Sequence, residues 1–253
     1  MAFVLYNNYC ESQSLSVILS YNSYWGDNVL NNNDLTFLKK NLSFWNKLND
    51  AEKNLIKNNI TKVKYNKGEI LHNADSECLG LVLIVKGGLR VYILSEDGRE
   101  VTLYRLAEGD SCVLSASCIL NNITFDVVID AETDTDVLIL NVGTYSTLNS
   151  NNVYVENYSY KNTVDRFSDV MWAIEQILFM TFDKRLATFL IDEAAKTKSM
   201  EINFTHEQIA KYLGSAREVV SRMLKNFESQ GILRLSRGSI QILDKDKLKE
   251  LLK

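Results

Sequence analysis

Apolar and polar positions change their rhythm several times along the chain, and each rhythm predicts a different element. Residues 1–33 are rich in Asn, Ser and Tyr and hold no sustained period, so they read as an N-terminal extension of undetermined structure. From Asp34 to Asn59, Leu35, Leu38, Leu42, Phe44 and Leu48 are spaced for short helices. Short strand-like runs follow at Thr61–Tyr65, Glu69–His72, Leu79–Val85, Gly88–Leu94, Val101–Leu106, Phe125–Ala131 and Asp136–Asn141. Turn sequences such as Lys86-Gly87-Gly88, Glu96-Asp97-Gly98 and Glu108-Gly109-Asp110 separate them. Strands this short and regularly punctuated predict an antiparallel β-barrel or jelly roll over residues 34–150.

The period then lengthens. Across Val153–Met180, Tyr160, Val164, Phe167, Met171, Ile174 and Leu178 recur at alternating spacings of four and three, an a/d seam of nearly three heptads. Packing of this helix on its own β-domain alone is the simpler reading. Val170, Trp172, Ile177 and Phe179 make other faces apolar as well, which favours a helix packed on a partner helix and on its own barrel together. Residues 151–181 are therefore expected to be the dimerisation helix of a parallel homodimer. A further helix, Lys184–Ala195, turns Leu186, Phe189 and Leu190 inward.

Residues 182–253 carry the sharpest pattern. Thr205 followed by Gln208 forms a capping-box start, and the helix it opens keeps Ile209, Ala210 and Leu213 apolar up to Gly214. Ser215 and Glu218 suggest a second capping box, with Ser215 as the cap. Two helices joined by a tight turn make a helix-turn-helix. In the second helix Val220, Met223, Leu224 and Phe227 form one buried stripe. Glu218, Ser221, Arg222 and Lys225 lie about 200° away, and Arg217 extends that outer face. Guanidinium forks suit guanine O6/N7 and a carboxylate suits cytosine N4, so Arg217, Glu218, Ser221 and Arg222 are candidate readers of base edges, and Lys225 on the same face is a further DNA-binding candidate. The runs Gly231–Ser236 and Ser239–Leu243 flank Arg237-Gly238 as a wing, where Arg234 and Arg237 are natural phosphate contacts. Thr205 joins the candidate DNA-facing set.

Composition adds limits. The chain has 253 residues, 46% hydrophobic and 24% charged, in the range of globular proteins. No apolar run approaches the roughly 18 residues of a membrane span, and the first Lys is Lys39, so no basic-flanked secretory leader is seen. Cys10, Cys78, Cys112 and Cys118 are scattered, which predicts a cytoplasmic location. The net charge of −4 conceals an asymmetry. Residues 182–253 carry 14 Lys/Arg against 10 Asp/Glu, whereas residues 1–181 carry 14 against 22. A basic C-terminal third on an acidic body suits double-stranded DNA as partner, because phosphate attraction acts over a Debye length of about 8 Å.

With Phe204–Arg222 and its Gly214-Ser215-Ala216-Arg217-Glu218-Val219-Val220-Ser221-Arg222, the chain resembles the Crp/Fnr superfamily of bacterial transcription regulators. Val85–Tyr92, Glu96–Glu100 and Leu106–Asp110 carry the resemblance into the β-domain, over roughly residues 35–250 in all. It implies an α+β architecture: a cyclic-nucleotide-binding-like antiparallel barrel, a long dimerisation helix and a C-terminal winged helix-turn-helix. It also implies a palindromic operator with TGA-containing half-sites, an effector in the barrel, and RNA polymerase as a partner, usually for activation. The cyclic-nucleotide branch needs a Gly-Glu for the ribose and an Arg-Ser for the phosphate. Here Gly109–Cys118 offers neither, and no Arg stands between Arg105 and Arg166, so no cyclic-AMP response is expected. The effector loop supplies Cys112, Leu114, Ser115 and Cys118 as effector or redox candidates. Clustered ligands for an iron–sulfur centre are lacking. No cofactor is predicted; haem on His72, Cys78 or Cys112, a thiol switch, and an orphan barrel without effector are the alternatives. One His in the barrel region, no phosphate-cradling loop and no nucleophile elbow argue against an enzyme or a protein metal site.

Overall fold

The computed structural model describes residues 30–73, 78–113 and 127–252. Helix α1 (Asn32–Asn41) opens on an Asn31–Asp34 capping box, and α2 (Asp50–Asn59) on Asn49–Glu52. A 3₁₀ turn at Trp45–Lys47 joins them. Two four-stranded antiparallel sheets follow. The first holds β1 (Ile60–Tyr65), β8 (Thr135–Asn141), β3 (Gly80–Lys86) and β6 (Ser111–Cys112), in that order. The second holds β2 (Ile70–His72), β7 (Val128–Ala131), β4 (Gly88–Leu94) and β5 (Glu100–Ala107). Of the two expected forms, the β-domain takes the jelly-roll one: among the described residues the sheets stay separate and do not close into a barrel.

Strand β3 shows why its apolar run is unbroken. Successive side chains point to opposite faces. Leu81 and Leu83 pack under the helices with Leu38, Phe44 and Ile56, while Val82 and Ile84 face the interior between the sheets with Leu89, Val91, Ile129 and Val137. A strand covered on both faces loses its polar alternation. The β3–β4 turn needs Gly87, whose φ is +90° and whose missing Cβ would lie 2.6 Å from the Asp134 carbonyl oxygen. The sequence pattern did not disclose α3 (Val142–Asn151), which packs Tyr145 and Leu148 into the first of these clusters. The short β6 was missed too.

The long helix α4 (Val153–Phe179) has the expected extent. Val155 and Ser159 are buried near its start, where the Tyr145 and Ser159 hydroxyls lie 2.5 Å apart and Tyr158 meets Ser111 at 2.7 Å. Further along, Ala173 is buried and Val170 packs against the intersheet cluster. Helix α5 (Phe182–Thr197) then enters the C-terminal unit. That unit contains β9 (Glu201–Ile202), α6 (His206–Leu213), α7 (Arg217–Ser229), β10 (Leu233–Ser236), β11 (Ser239–Ile242) and α8 (Lys245–Glu250). Its core joins Leu186, Leu190, Ile209, Val220, Leu224 and Phe227 to Ile240 of the sheet. Phe189, expected inward, is half-buried at the edge of this core. No helix among the described residues is long and apolar enough to cross a membrane.

Candidate nucleic-acid interface

Helix α6 starts as the sequence predicts. The Gln208 amide donates to Thr205 Oγ1 at 3.2 Å, and the Thr205 amide donates to Gln208 Oε1 at 2.8 Å. It ends at Gly214, left-handed with φ +59°, after which the Ser215 amide donates back to the Ala210 carbonyl at 3.0 Å. That bond corrects the second capping box. Ser215 is engaged in closing α6, the chain becomes extended at Ala216, and α7 begins at Arg217 with Ala216 as N-cap and no side-chain cap bond. Glu218 consequently has no bond to Ser215. It sits in the first turn of α7, where its charge complements the helix dipole.

The two faces of α7 separate as expected. Val220, Leu224 and Phe227 are buried, and Met223 is half-buried against them. Arg217, Glu218, Arg222 and Lys225 are exposed, with Ser221 half-buried among them. Among the described residues none of these charged groups forms an ion pair. The wing is the β10–β11 hairpin, paired from Leu233↔Ile242 to Ser236↔Ser239, with Gly238 at φ +78° in the turn. The Glu228 carboxylate accepts from the Leu235 amide at 2.9 Å, so α7 and the wing are tied together. Arg234 and Arg237 are exposed on the wing. Between the two lies a hollow of about 280 Å³, walled by Thr205, His206, Arg217, Ser236 and Gly238. Burial, then Arg217 and Lys225, hold the His206 imidazole below its usual range. The Thr205 hydroxyl serves the cap, although its side chain is exposed on this hollow.

The seam positions of α4 form a second surface. Tyr160, Val164, Phe167, Met171, Ile174 and Leu178 are all exposed, from 39% for Ile174 to 67% for Leu178. A run of large apolar side chains left open along one helix marks an interaction surface. Of the effector candidates, Cys112 is buried in β6, while Leu114, Ser115 and Cys118 lie outside the described residues. His72 is buried in β2 of the other sheet, and Cys78 is half-buried. No group of three or more His, Cys, Asp or Glu able to hold a metal ion occurs among the described residues.

Comparisons with known proteins agree with this geometry. The profile of the cyclic nucleotide-binding domain matches residues 62–149, and that of the Crp-like helix-turn-helix domain matches 184–251. A solved Crp/Fnr-family protein from Eubacterium rectale is 47% identical, with a TM-score of 0.82 over 84% of this chain and 99% of its own. The chain belongs to the Crp/Fnr family. It is also similar to the cAMP-activated global transcriptional regulator CRP of Pasteurella multocida, 23% identical over 67% of this chain and 84% of that protein. FixK2 of Bradyrhizobium japonicum shares the fold, with 22% identity and a TM-score of 0.60 over 76% of this chain and 96% of its own.

In this Crp/Fnr chain the helix-turn-helix is docked on the β-domain through charges that sequence reasoning missed. Arg105 of β5 pairs with Glu132, just after β7, and with Glu193 of α5. Glu132 also accepts from Tyr212 of α6 and pairs with Lys196 at 3.3 Å. Lys211 of α6 reaches Glu100 at 2.7 Å, and Glu100 is held in turn by the buried Arg90, whose guanidinium also grips Asp130 through two bonds. Burial alone would raise the Glu132 and Glu100 carboxyls, yet the surrounding cations and donors bring both below their ordinary range. The helix-turn-helix turn itself touches β5, since a Cβ at Gly214 would lie 2.8 Å from the Val101 side chain. Alternating charges on a strand read as a solvated face. Nothing local to β5 discloses that a second domain covers it.

Proposed function

We propose that this Crp/Fnr-type DNA-binding regulator works as a cytoplasmic homodimer on a palindrome with TGA-containing half-sites. Arg217, Glu218, Ser221 and Arg222 read base edges. Lys225, Thr205, Arg234 and Arg237 meet the backbone. The observation that carries the reading is the solvent face of α7, whose charged groups are exposed and, among the described residues, form no ion pair, beside a basic wing. The apolar seam of α4 supports the dimer, and two copies would set two α7 helices about one DNA turn apart. No enzymatic activity is proposed, and RNA polymerase remains the partner that the family implies.

The controlling signal is proposed to be an effector or redox change other than cyclic AMP. Arg105 is already occupied by Glu132 and Glu193, and Arg166 by Asp169 at 2.8 Å. Neither is left to neutralise a phosphate in the β-domain. The charged docking between β5 and α6 is the route by which a change in the β-domain would reach the DNA-reading helices.

Selection of duplexes from a random pool by the full chain is expected to recover a palindrome. A Phe167→Asp variant, monomeric in sedimentation, should bind that palindrome about 100-fold more weakly or worse, because the second half-site is no longer tethered. Recovery of a lone half-site, or full affinity in the monomer, would refute the dimeric reading. Saturating cyclic AMP should leave operator affinity and melting temperature unchanged.

A further inference from the structure

Beside the docking charges, β5, α4, α5 and α6 enclose a cleft of about 370 Å³, in the size range of small-molecule sites. Its walls include Arg105, Arg166, Arg185, Trp172, Phe189 and Tyr212. Two of the arginines are paired with carboxylates. Arg105 has Glu132 and Glu193, and Arg166 has Asp169. Arg185 differs. It is half-buried, its Nη1 donates to the Leu213 carbonyl at 2.9 Å, and among the described residues it forms no ion pair. Among the described residues its Nε, like those of Arg105 and Arg166, is buried without a hydrogen-bond partner, so the missing counter-charge is what sets Arg185 apart. A partly desolvated guanidinium without a counter-charge is costly, and a bound oxyanion would remove that cost.

The rest of the lining selects among anions. Phe189 and Tyr212 pack on each other, 5.5 Å apart at a tilt of 33°, and Trp172, exposed on the same cleft, adds open ring surface against which a planar apolar body can lie. Asp169, Asp192 and Glu193 balance the three arginines in formal charge. That balance disfavours a dianion such as phosphate and admits a single negative charge. We propose that the cleft binds a small planar monocarboxylate, with its carboxylate on Arg185 and its ring against Trp172 and Phe189. Because Arg185 also holds the last carbonyl of α6, the ligand would brace β5, α4 and the helix-turn-helix turn in one arrangement. Its regulatory consequence rests on the DNA-binding reading above; its binding does not.

The test is calorimetry and Trp fluorescence on the full chain with benzoate and 4-hydroxybenzoate as probes and inorganic phosphate as the comparison. Saturable binding of an aryl carboxylate at millimolar concentration or below is expected, with phosphate inactive. R185Q retains a donor for the Leu213 carbonyl but lacks the charge, and should bind at least tenfold more weakly. Thr188→Trp should abolish binding by filling the cleft; among the described residues the Thr188 hydroxyl bonds within α5 alone, donating to the Lys184 carbonyl. If R185Q fails to fold, Thr188→Trp carries the test. Absence of saturation with both aryl probes overturns the proposal. So does wild-type affinity in folded R185Q or in Thr188→Trp, or binding of phosphate as tight as that of the carboxylates. Operator affinity, measured separately, distinguishes failure of this site from failure of the DNA-binding reading.

Discussion

Arginine is used in opposite ways at the two ends of this molecule. In the β-domain Arg90 and Arg105 lie largely buried and are claimed by carboxylates, Asp130 and Glu100 for the first, Glu132 and Glu193 for the second. In the C-terminal unit Arg217, Arg222, Arg234 and Arg237 are exposed and, among the described residues, form no ion pair. Both regions carry the same side chain, yet one set fixes domain placement and the other is open to phosphate and base edges. What separates them is the company each guanidinium keeps, which net charge does not record. A chain of net charge −4 can therefore present a DNA-binding face, because its acidic groups are elsewhere or already neutralised.

The largest test of this contrast is Arg105→Gln. It strands Glu132 and Glu193 at the domain junction, where breaking a buried pair costs roughly 3–5 kcal/mol. Lys196 and Tyr212 still support Glu132, so a loss near about 3 kcal/mol in urea unfolding is expected. A loss indistinguishable from zero would show that the docking charges contribute nothing. Next, Arg222→Ala should leave the melting temperature unchanged while weakening operator binding by about 1–3 kcal/mol and relaxing preference at one base position. A folded Arg222→Ala protein with unaltered sequence preference would remove that residue from base reading. Arg237→Ala should act more mildly: affinity falls similarly for all sequences, and the salt slope drops by about one.

The smallest effect concerns acid. Glu100 and Glu132 have folded-state values below their ordinary 4.5, so their contribution is complete above that pH and is lost as pH falls through the lowered values. Protection factors for amide exchange at β5 and α6, corrected for the intrinsic pH dependence of the rates, should be unchanged between pH 7 and 5 and should fall only in stronger acid. Loosening already at pH 6 would mean that other groups hold the domains.

The legible parts of the site were those decided by neighbours in sequence. The stripe of Val220, Leu224 and Phe227, the α6 cap at Thr205 and the wing turn at Gly238 each follow from residues within a few positions. Even there one register slipped. Ser215 has the chemistry of a cap, but the left-handed Gly214 directs the Ser215 amide to Ala210, and α7 starts after Ala216. The α4 seam was legible because its period is local, and its exposure in the single chain agrees with a face awaiting a partner. Helix α3 escaped notice because Gly, Thr, Ser and Asn dilute its apolar period.

By itself, the sequence determined the order of elements, the division into a β-domain, a long helix and a winged helix-turn-helix, and the residues that face outward on α7. Side-chain periodicity within a helix or strand is a local property, so residue order suffices to specify it. Only the tertiary structure decided that, among the described residues, two sheets stay apart, α6 docks on β5, and Arg105 is spent on Glu132 and Glu193 while Arg185 has no carboxylate. Those pairings join residues up to 111 positions apart, as between Lys211 and Glu100. No pattern along the chain states which distant surface will cover a polar strand.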